Sequence, residues 1–179
     1  MTAKDCILGR RSIRRFKPDA IHRDVLEEIV ETASYAPSWK HTQITRYIAV
    51  EGALKDQIAA QACDAWKPNA DIINSAPVLI VISIIKNRSG FERDGSYSTP
   101  RNDGWQMYDA GIASQTFCLA AHDKGIGSVI LGIFDSKKVA SILEVPEERD
   151  VIALIPIGYP AEEPLAPKRK SVQDLLSYK

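Results

Sequence analysis

The run Val78-Leu79-Ile80-Val81-Ile82-Ser83-Ile84-Ile85 is apolar but for one serine and rich in β-branched side chains. Such a segment suits a strand buried on both faces, so it must lie inside a sheet that other elements cover on each side. Even with Ala76 and Pro77 it is far shorter than the roughly 20 residues a membrane helix needs. A second buried element follows. Trp105 to Lys124 has small residues (Ala110, Gly111, Ala113, Ser114) beside Phe117 and Leu119, with Gly125 as its stop. A helix apolar on most sides is interior, and small residues let another helix approach closely.

Weaker patterns complete the frame. Thr2 with Asp5 resembles a capping box, opening a short helix that ends near Gly9. Val25, Leu26, Ile29, Val30 and Ala33 recur at helical spacing, predicting an amphipathic helix over Arg23 to Tyr35 that Pro37 ends. Arg46 to Val50 is a strand candidate, and Leu54, Ile58 and Ala62 mark another helix. Ser128 to Leu131 predicts a short strand, Ser136 caps a helix through Leu143, and Val151 to Ile157 is the last core strand. Residues 86–103 form a long polar stretch with Phe91 and Tyr97 as isolated aromatics, a candidate lid or an ordinary surface loop. The tail from Ala161 carries Lys168-Arg169-Lys170 and a short amphipathic end at Val172, Leu175 and Leu176. No linker or repeat divides the chain. The expectation is one α+β domain over residues 1–179, a mixed central sheet with helices on both faces.

Composition narrows the function classes. Lys+Arg and Asp+Glu both number 23, which argues against bulk electrostatic capture of nucleic acid or an anionic membrane. Cys6, Cys63 and Cys118 are odd in number and far apart, the pattern of reduced thiols in a cytoplasmic protein. The amino end lacks the apolar stretch of a signal peptide. His22, His41 and His122 have no metal-ligand spacing. Gly90 and Gly95 are spaced like P-loop glycines, but Ser96 stands where the lysine belongs. Gly125 and Gly127 follow a helix and precede a strand, the reverse of a dinucleotide fingerprint. Chemistry supplied by a bound organic cofactor fits better than hydrolytic or metal chemistry.

Three segments look like parts of one site. The first is Arg10-Arg11-Ser12-Ile13-Arg14-Arg15-Phe16, whose planar guanidinium forks suit a phosphate. Alone it reads first as a solvated basic strand. The second is Lys168-Arg169-Lys170, alone a charged tail. The third is Ala36-Pro37-Ser38-Trp39-Lys40-His41-Thr42-Gln43, a helix exit dense in hydrogen-bonding groups and alone an ordinary turn. Two basic clusters converging on one nearly dianionic phosphate monoester would make physical sense.

Taken in order, these segments resemble the nitroreductase family of FMN-dependent oxidoreductases over nearly the whole chain. The first is similar to the family's Arg-Arg-Ser-x-Arg-x-Phe, and the third to its Ala-Pro-Ser-x-x-Asn-x-Gln. Trp105, Asp109, Ala113, Gln115, Leu119-Ala120-Ala121 and Gly125-Ile126-Gly127-Ser128 follow its central helix and turn, and Gly158-Tyr159-Pro160 with the basic pair after it completes the series.

The resemblance implies a homodimer with FMN at its seam and NADH or NADPH as electron donor. A small electron-poor acceptor, such as a nitroaromatic, quinone or activated alkene, would take the electrons. It implies that Arg10, Arg11 and Ser12 hold the FMN phosphate and ribityl chain and that Arg14 approaches the flavin N1/C2 carbonyl edge. Lys168, Arg169 and Lys170 would close over the phosphate. Pro37, Ser38 and His41 would come from the partner, and Ile130, Leu131 and Gly132 would face the flavin near N5. The tail, 161–179, would extend onto the partner subunit. His41 stands where the family has asparagine, Trp39 and Lys40 replace small residues, and Ile44-Thr45 replaces Pro-Trp. A flavin carrier or sensor without turnover, a same-fold enzyme of other flavin chemistry (reductive dehalogenation, flavin breakdown) and a dimer that merely binds anions remain open from sequence.

Overall fold

The computed structural model describes residues 1–179. Its elements in chain order are α1 (Ala3–Gly9), α2 (Arg23–Ala33), β1 (Thr45–Val50), α3 (Gly52–Ala62), α4 (Lys67–Ser75), β2 (Val78–Ile85), α5 (Gly104–Asp123), β3 (Gly127–Ser128), α6 (Ser136–Ile142), β4 (Arg149–Gly158) and α7 (Val172–Leu175). The sheet order is β1-β2-β4-β3. Every ladder of this sheet is antiparallel, and one isolated parallel bridge, Ser12 to Ser128, ties the amino-terminal segment to β3.

β2 is central, as its composition requires, and its alternation feeds two cores. Val78, Ile80 and Ile82 pack with Ile29 and Ala33 of α2 and Phe117, Cys118 and Ala121 of α5. Leu79 and Val81 turn the other way, onto Ile58, Ala59 and Ala62 of α3, Ile73 of α4 and Val139 of α6. Full burial of a side chain the size of Phe117 is worth about 1.5–3 kcal/mol. β4 keeps the same two-sided pattern across an irregularity: Ile82 pairs Ala153 but Ser83 pairs Val151, leaving Ile152 as an extra residue. That bulge lets Val151 and Leu154 share one face although three positions separate them.

Local chemistry accounts for the boundaries. The Thr2 side chain accepts the Asp5 amide at 3.2 Å. Asp135, rather than Ser136, caps α6 by accepting the Lys138 amide at 3.0 Å. The strand expected over Ser128 to Leu131 shrinks to Gly127–Ser128, with Leu131 rejoining β4 through an isolated bridge to Leu154. α4 has no counterpart among the expected elements. Pro68 lies in its first turn, where a missing N–H costs nothing, and the helix is short enough that tertiary packing of Ile73 decides it. No helix is long and apolar enough to cross a membrane.

α5 corrects one expectation. It was expected to be buried nearly all round, yet it has two faces. Ala110, Ala113, Phe117 and Ala121 are interior, while Met107, Tyr108, Gly111 and Gln115 face outward. Ile7 and Leu8 of α1 are exposed as well. The polar stretch after β2 is ordered as a small hairpin, with Glu92 N donating to Ser96 O and Ser98 N to Gly90 O, both at 2.8 Å. Gly90 has φ +86°, and a Cβ there would lie 2.5 Å from Asn102 O, so only glycine fits.

Candidate functional site

The Arg10–Lys17 segment runs along the sheet's edge. Ile13 N donates to Ser128 O at 3.0 Å, Lys17 N to Tyr159 O at 2.8 Å and Ala161 N to Arg15 O at 3.0 Å. Ile13 and Phe16 turn inward with Ala76, while Arg14 and Arg15 are exposed and Arg10 and Arg11 half-buried. Gly127 permits this docking, since a Cβ there would sit 2.8 Å from Ile13 Cγ1.

The tail then returns over the same segment. Glu162 Oε1 accepts the Arg14 amide at 2.7 Å, and Arg10, Arg11, Ser12 and Arg14 share a cleft of about 350 Å³ with Pro164, Leu165, Pro167 and Arg169. The two basic stretches therefore meet within one chain, although some 150 positions separate them. Lys168 and Lys170 line a shallower adjoining cleft with Arg169, Ser171 and Asp174.

None of these arginines has a carboxylate partner. All five ion pairs of the chain use a lysine or the terminal amine. Arg11 Nη1 donates instead to Leu8 O (2.7 Å) and Arg10 O (2.9 Å), Arg14 Nη1 to Ser12 O (3.3 Å) and Arg169 Nη1 to Pro167 O (3.4 Å). Four guanidinium groups gathered without an ion pair have the donor chemistry that suits a multiply charged anion, while Glu162 and Glu163 line the neighbouring cleft with Arg10 and Arg11. Behind them, burial lowers the His122 pKa, and the charges of Arg10 and Arg11 lower it further.

Pro37 and Ser38 line a different cleft of about 380 Å³ between α2, β1 and α5, with Gln43, Arg46, Tyr47 and Asp109 among its walls. Burial, and then the Cys118 thiol, pushes the Tyr47 hydroxyl up to about 12, so it stays protonated. His41 is exposed at the turn beyond. That turn is unusual: Lys40, His41 and Gln43 have φ of 43°, 57° and 47°, left-handed values that cost about 1–2 kcal/mol for a residue with a Cβ. The Trp39 amide donates to both oxygens of Asp109 at 3.0 Å, Gln43 N donates to Ser38 Oγ at 3.0 Å, and the Trp39 ring lies 4.5 Å from that of Trp105.

Ile130 and Gly132 are exposed beyond β3. Leu131 between them is tied into the sheet. Its amide donates to Leu154 O at 2.8 Å, its carbonyl accepts from Leu154 N at 3.1 Å, and its side chain is in the core, so it has no free backbone donor to offer. The sequence reading assigned no role to Glu162, His122 or Asp109. The first two had no detectable signal. Asp109 did, as the lone carboxylate within the apolar middle of α5.

A family model described as the nitroreductase family matches residues 7–159. A Methanothermobacter thermautotrophicus protein named as an NADH dehydrogenase/NAD(P)H nitroreductase is 26% identical over 168 residues, which span 92% of this chain and 80% of that one. The crystal structure of a nitroreductase family protein from Clostridium novyi NT is 30% identical with a TM-score of 0.77, over 90% of this chain and 87% of that one. A Desulfovibrio desulfuricans protein described as a nitroreductase, solved in complex with FMN, is 26% identical with a TM-score of 0.76, over 98% of this chain and 95% of that one. The sequence segments, the sheet that carries them and the matched span agree: the chain belongs to the nitroreductase family.

Proposed function

We propose that the protein is an FMN-dependent NAD(P)H oxidoreductase acting on a small electron-poor acceptor by a ping-pong mechanism. The observation that carries this reading is the cleft of Arg10, Arg11, Ser12, Arg14 and Arg169, whose guanidinium groups lack carboxylate partners. The donor set fits a ribityl phosphate, with planar forks for a dianion and a short hydroxyl beside them. Bound FMN supplies hydride exchange between a reduced nicotinamide and an acceptor that use the same place in turn.

The chain's own residues bind and orient. Arg10, Arg11, Ser12 and Arg169 hold the phosphate end, with Lys168 and Lys170 raising the local positive potential. Arg14 supplies a cation near the ring edge where negative charge develops on reduction. Ile130 and Gly132 offer backbone groups. Pro37, Ser38 and His41 line a different part of the chain from the arginines, so they complete the site as Pro37, Ser38 and His41 of the partner subunit. The outward face of α5 supports that homodimer, since Met107 and Tyr108 expose apolar surface around Gly111, where an added Cβ would meet nothing within 4 Å. The exposed Leu165, Val172 and Leu175 give the tail apolar surface to lay on the partner.

The test is an absorbance spectrum of the purified protein and of the protein after incubation with FMN. Anaerobic titration with NADH and NADPH follows, then addition of a nitroaromatic or a quinone. The expected result is flavin absorbance, bleached by one or both nicotinamides and restored by the acceptor. A protein that takes up no FMN overturns the reading, and bound FMN that no nicotinamide bleaches makes it a carrier or sensor.

A further inference from the structure

Asp109 is a carboxylate for which core packing gives no reason. It sits on the buried side of α5 beside Ala110 and Ala113 and is 3% exposed. None of the chain's ion pairs includes it. A buried carboxylate without a cation is uncommon and must be satisfied by hydrogen bonds. Here there are two donors. The Trp39 amide reaches both oxygens at 3.0 Å, and Ser89 Oγ donates to Oδ2 at 2.7 Å.

Those donors open the two segments that flank this side of the molecule. Trp39 begins the turn whose next residues, Lys40 and His41, are held left-handed. Ser89, itself fully buried, precedes the hairpin over residues 90–98. One further contact joins the same pair of segments, Lys40 Nζ to Glu92 Oε1 at 2.9 Å, and the Trp39 ring packs on Trp105 at the start of α5. The Lys40–Glu92 pair is half-exposed and adds little rigidity. The buried connection through Asp109 is the one that can hold a strained turn in place.

We infer that Asp109 is a positioning residue that locks the 38–43 turn and the 86–103 hairpin into one wall, presenting Ser38 and His41 in a single geometry. The inference rests on the reading that this turn meets FMN held by the other subunit. It assigns the conformation of the turn to a charge on α5, rather than to the turn's own sequence, and it makes the hairpin a fixed wall rather than a free lid.

The experiment uses the FMN-loaded full-length protein and two variants, Asp109→Asn and Ser89→Ala. Three quantities are read: flavin content, circular dichroism of the bound flavin's visible bands, and KM and kcat per bound flavin for a nitroaromatic acceptor. Asp109→Asn keeps the shape and removes the charge. Its kcat/KM is expected to fall about 10- to 100-fold, the worth of hydrogen bonds to an ionised group. The flavin dichroism should change while FMN content stays near wild type, because the arginines still hold the phosphate. Ser89→Ala should show the same change at about 3- to 10-fold, as expected for losing one donor of the set. A merely structural role would lower Tm and leave per-flavin kinetics and dichroism alone, and that outcome overturns the inference. If Asp109→Asn does not fold, Ser89→Ala decides, and wild-type kinetics in it also overturn the inference. A wild-type protein that takes up no FMN defeats the cofactor reading and this inference together. FMN-loaded wild type with unaffected variants defeats this inference alone.

Discussion

The arginine cleft and the Ser38–Gln43 turn solve opposite problems. The cleft delivers charge. All but Arg169 sit on an extended segment tied to Ser128, Tyr159 and Ala161 by backbone hydrogen bonds and seated by Ile13 and Phe16, and the arginine side chains rest on neighbouring carbonyl groups. Coulombic attraction falls off slowly with distance, so the placement can be loose. The turn delivers shape. It holds three residues in left-handed conformations and is anchored through the main chain to a buried carboxylate. A hydrogen bond weakens within a few tenths of an ångström, so that region must be stiff. Charge can be carried on the surface, whereas geometry has to be anchored in the core.

If charge is delivered by the cleft, removing it should have the largest effect. The double variant Arg10→Ala/Arg169→Ala should weaken FMN binding by about 10²- to 10⁴-fold, from two charge-assisted contacts of about 1.5–3 kcal/mol each. Equilibrium dialysis against FMN measures this, and affinity within threefold of wild type would move the phosphate elsewhere. The proposed dimer can be tested without altering either region. Gly111→Leu adds a side chain where the single chain has open space, so the fold should survive while the dimer dissociation constant rises at least about 10-fold, from an overpacked interface. Sedimentation velocity with far-UV circular dichroism reads both, and a stable native dimer would remove α5 from the interface.

A smaller perturbation reaches the cleft through packing. Gly127→Ala sets a methyl group against Ile13 and should cost about 1–3 kcal/mol, or roughly 2–4 °C of Tm per kcal/mol. Thermal unfolding measures it, and an unchanged Tm would mean that the arginine segment is not seated on β3. The smallest expected effect is at His122, whose pKa burial and the charges of Arg10 and Arg11 hold low. A group with a lowered folded-state pKa gives stability that is present above its unfolded pKa and lost as pH falls through its folded one. Inorganic phosphate in the arginine cleft should raise this pKa and soften the acid loss. An NMR titration of His122 with and without phosphate tests the direction, and no upward movement would separate His122 from the anion site.

Legibility followed the same division. Arg10 to Phe16 and Lys168 to Lys170 were readable because residue type announces charge wherever it lies in the chain. β2 and α2 were readable because burial on two faces or one leaves a periodic trace. α4 was not, because a helix of this length depends on what Ile73 meets. The cap of α6 shifted by one residue, from Ser136 to Asp135, since both side chains are competent and only backbone direction selects between them. The sequence around Leu131 does not show that β4 takes both of its backbone groups, because that pairing is set by a residue 23 positions away.

By itself, the sequence determined a two-sided core around Val78 to Ile85, the main helices and strands, and clusters of positive charge near both ends of the chain. These are properties of composition and period, which every residue carries locally. The tertiary structure alone decided that the two basic stretches share one cleft and that α5 keeps an outward face. It also decided that the amide of Trp39 finds Asp109 some 70 positions away. Each of these depends on which distant atoms come within a few ångströms, and that is set by how the layers pack.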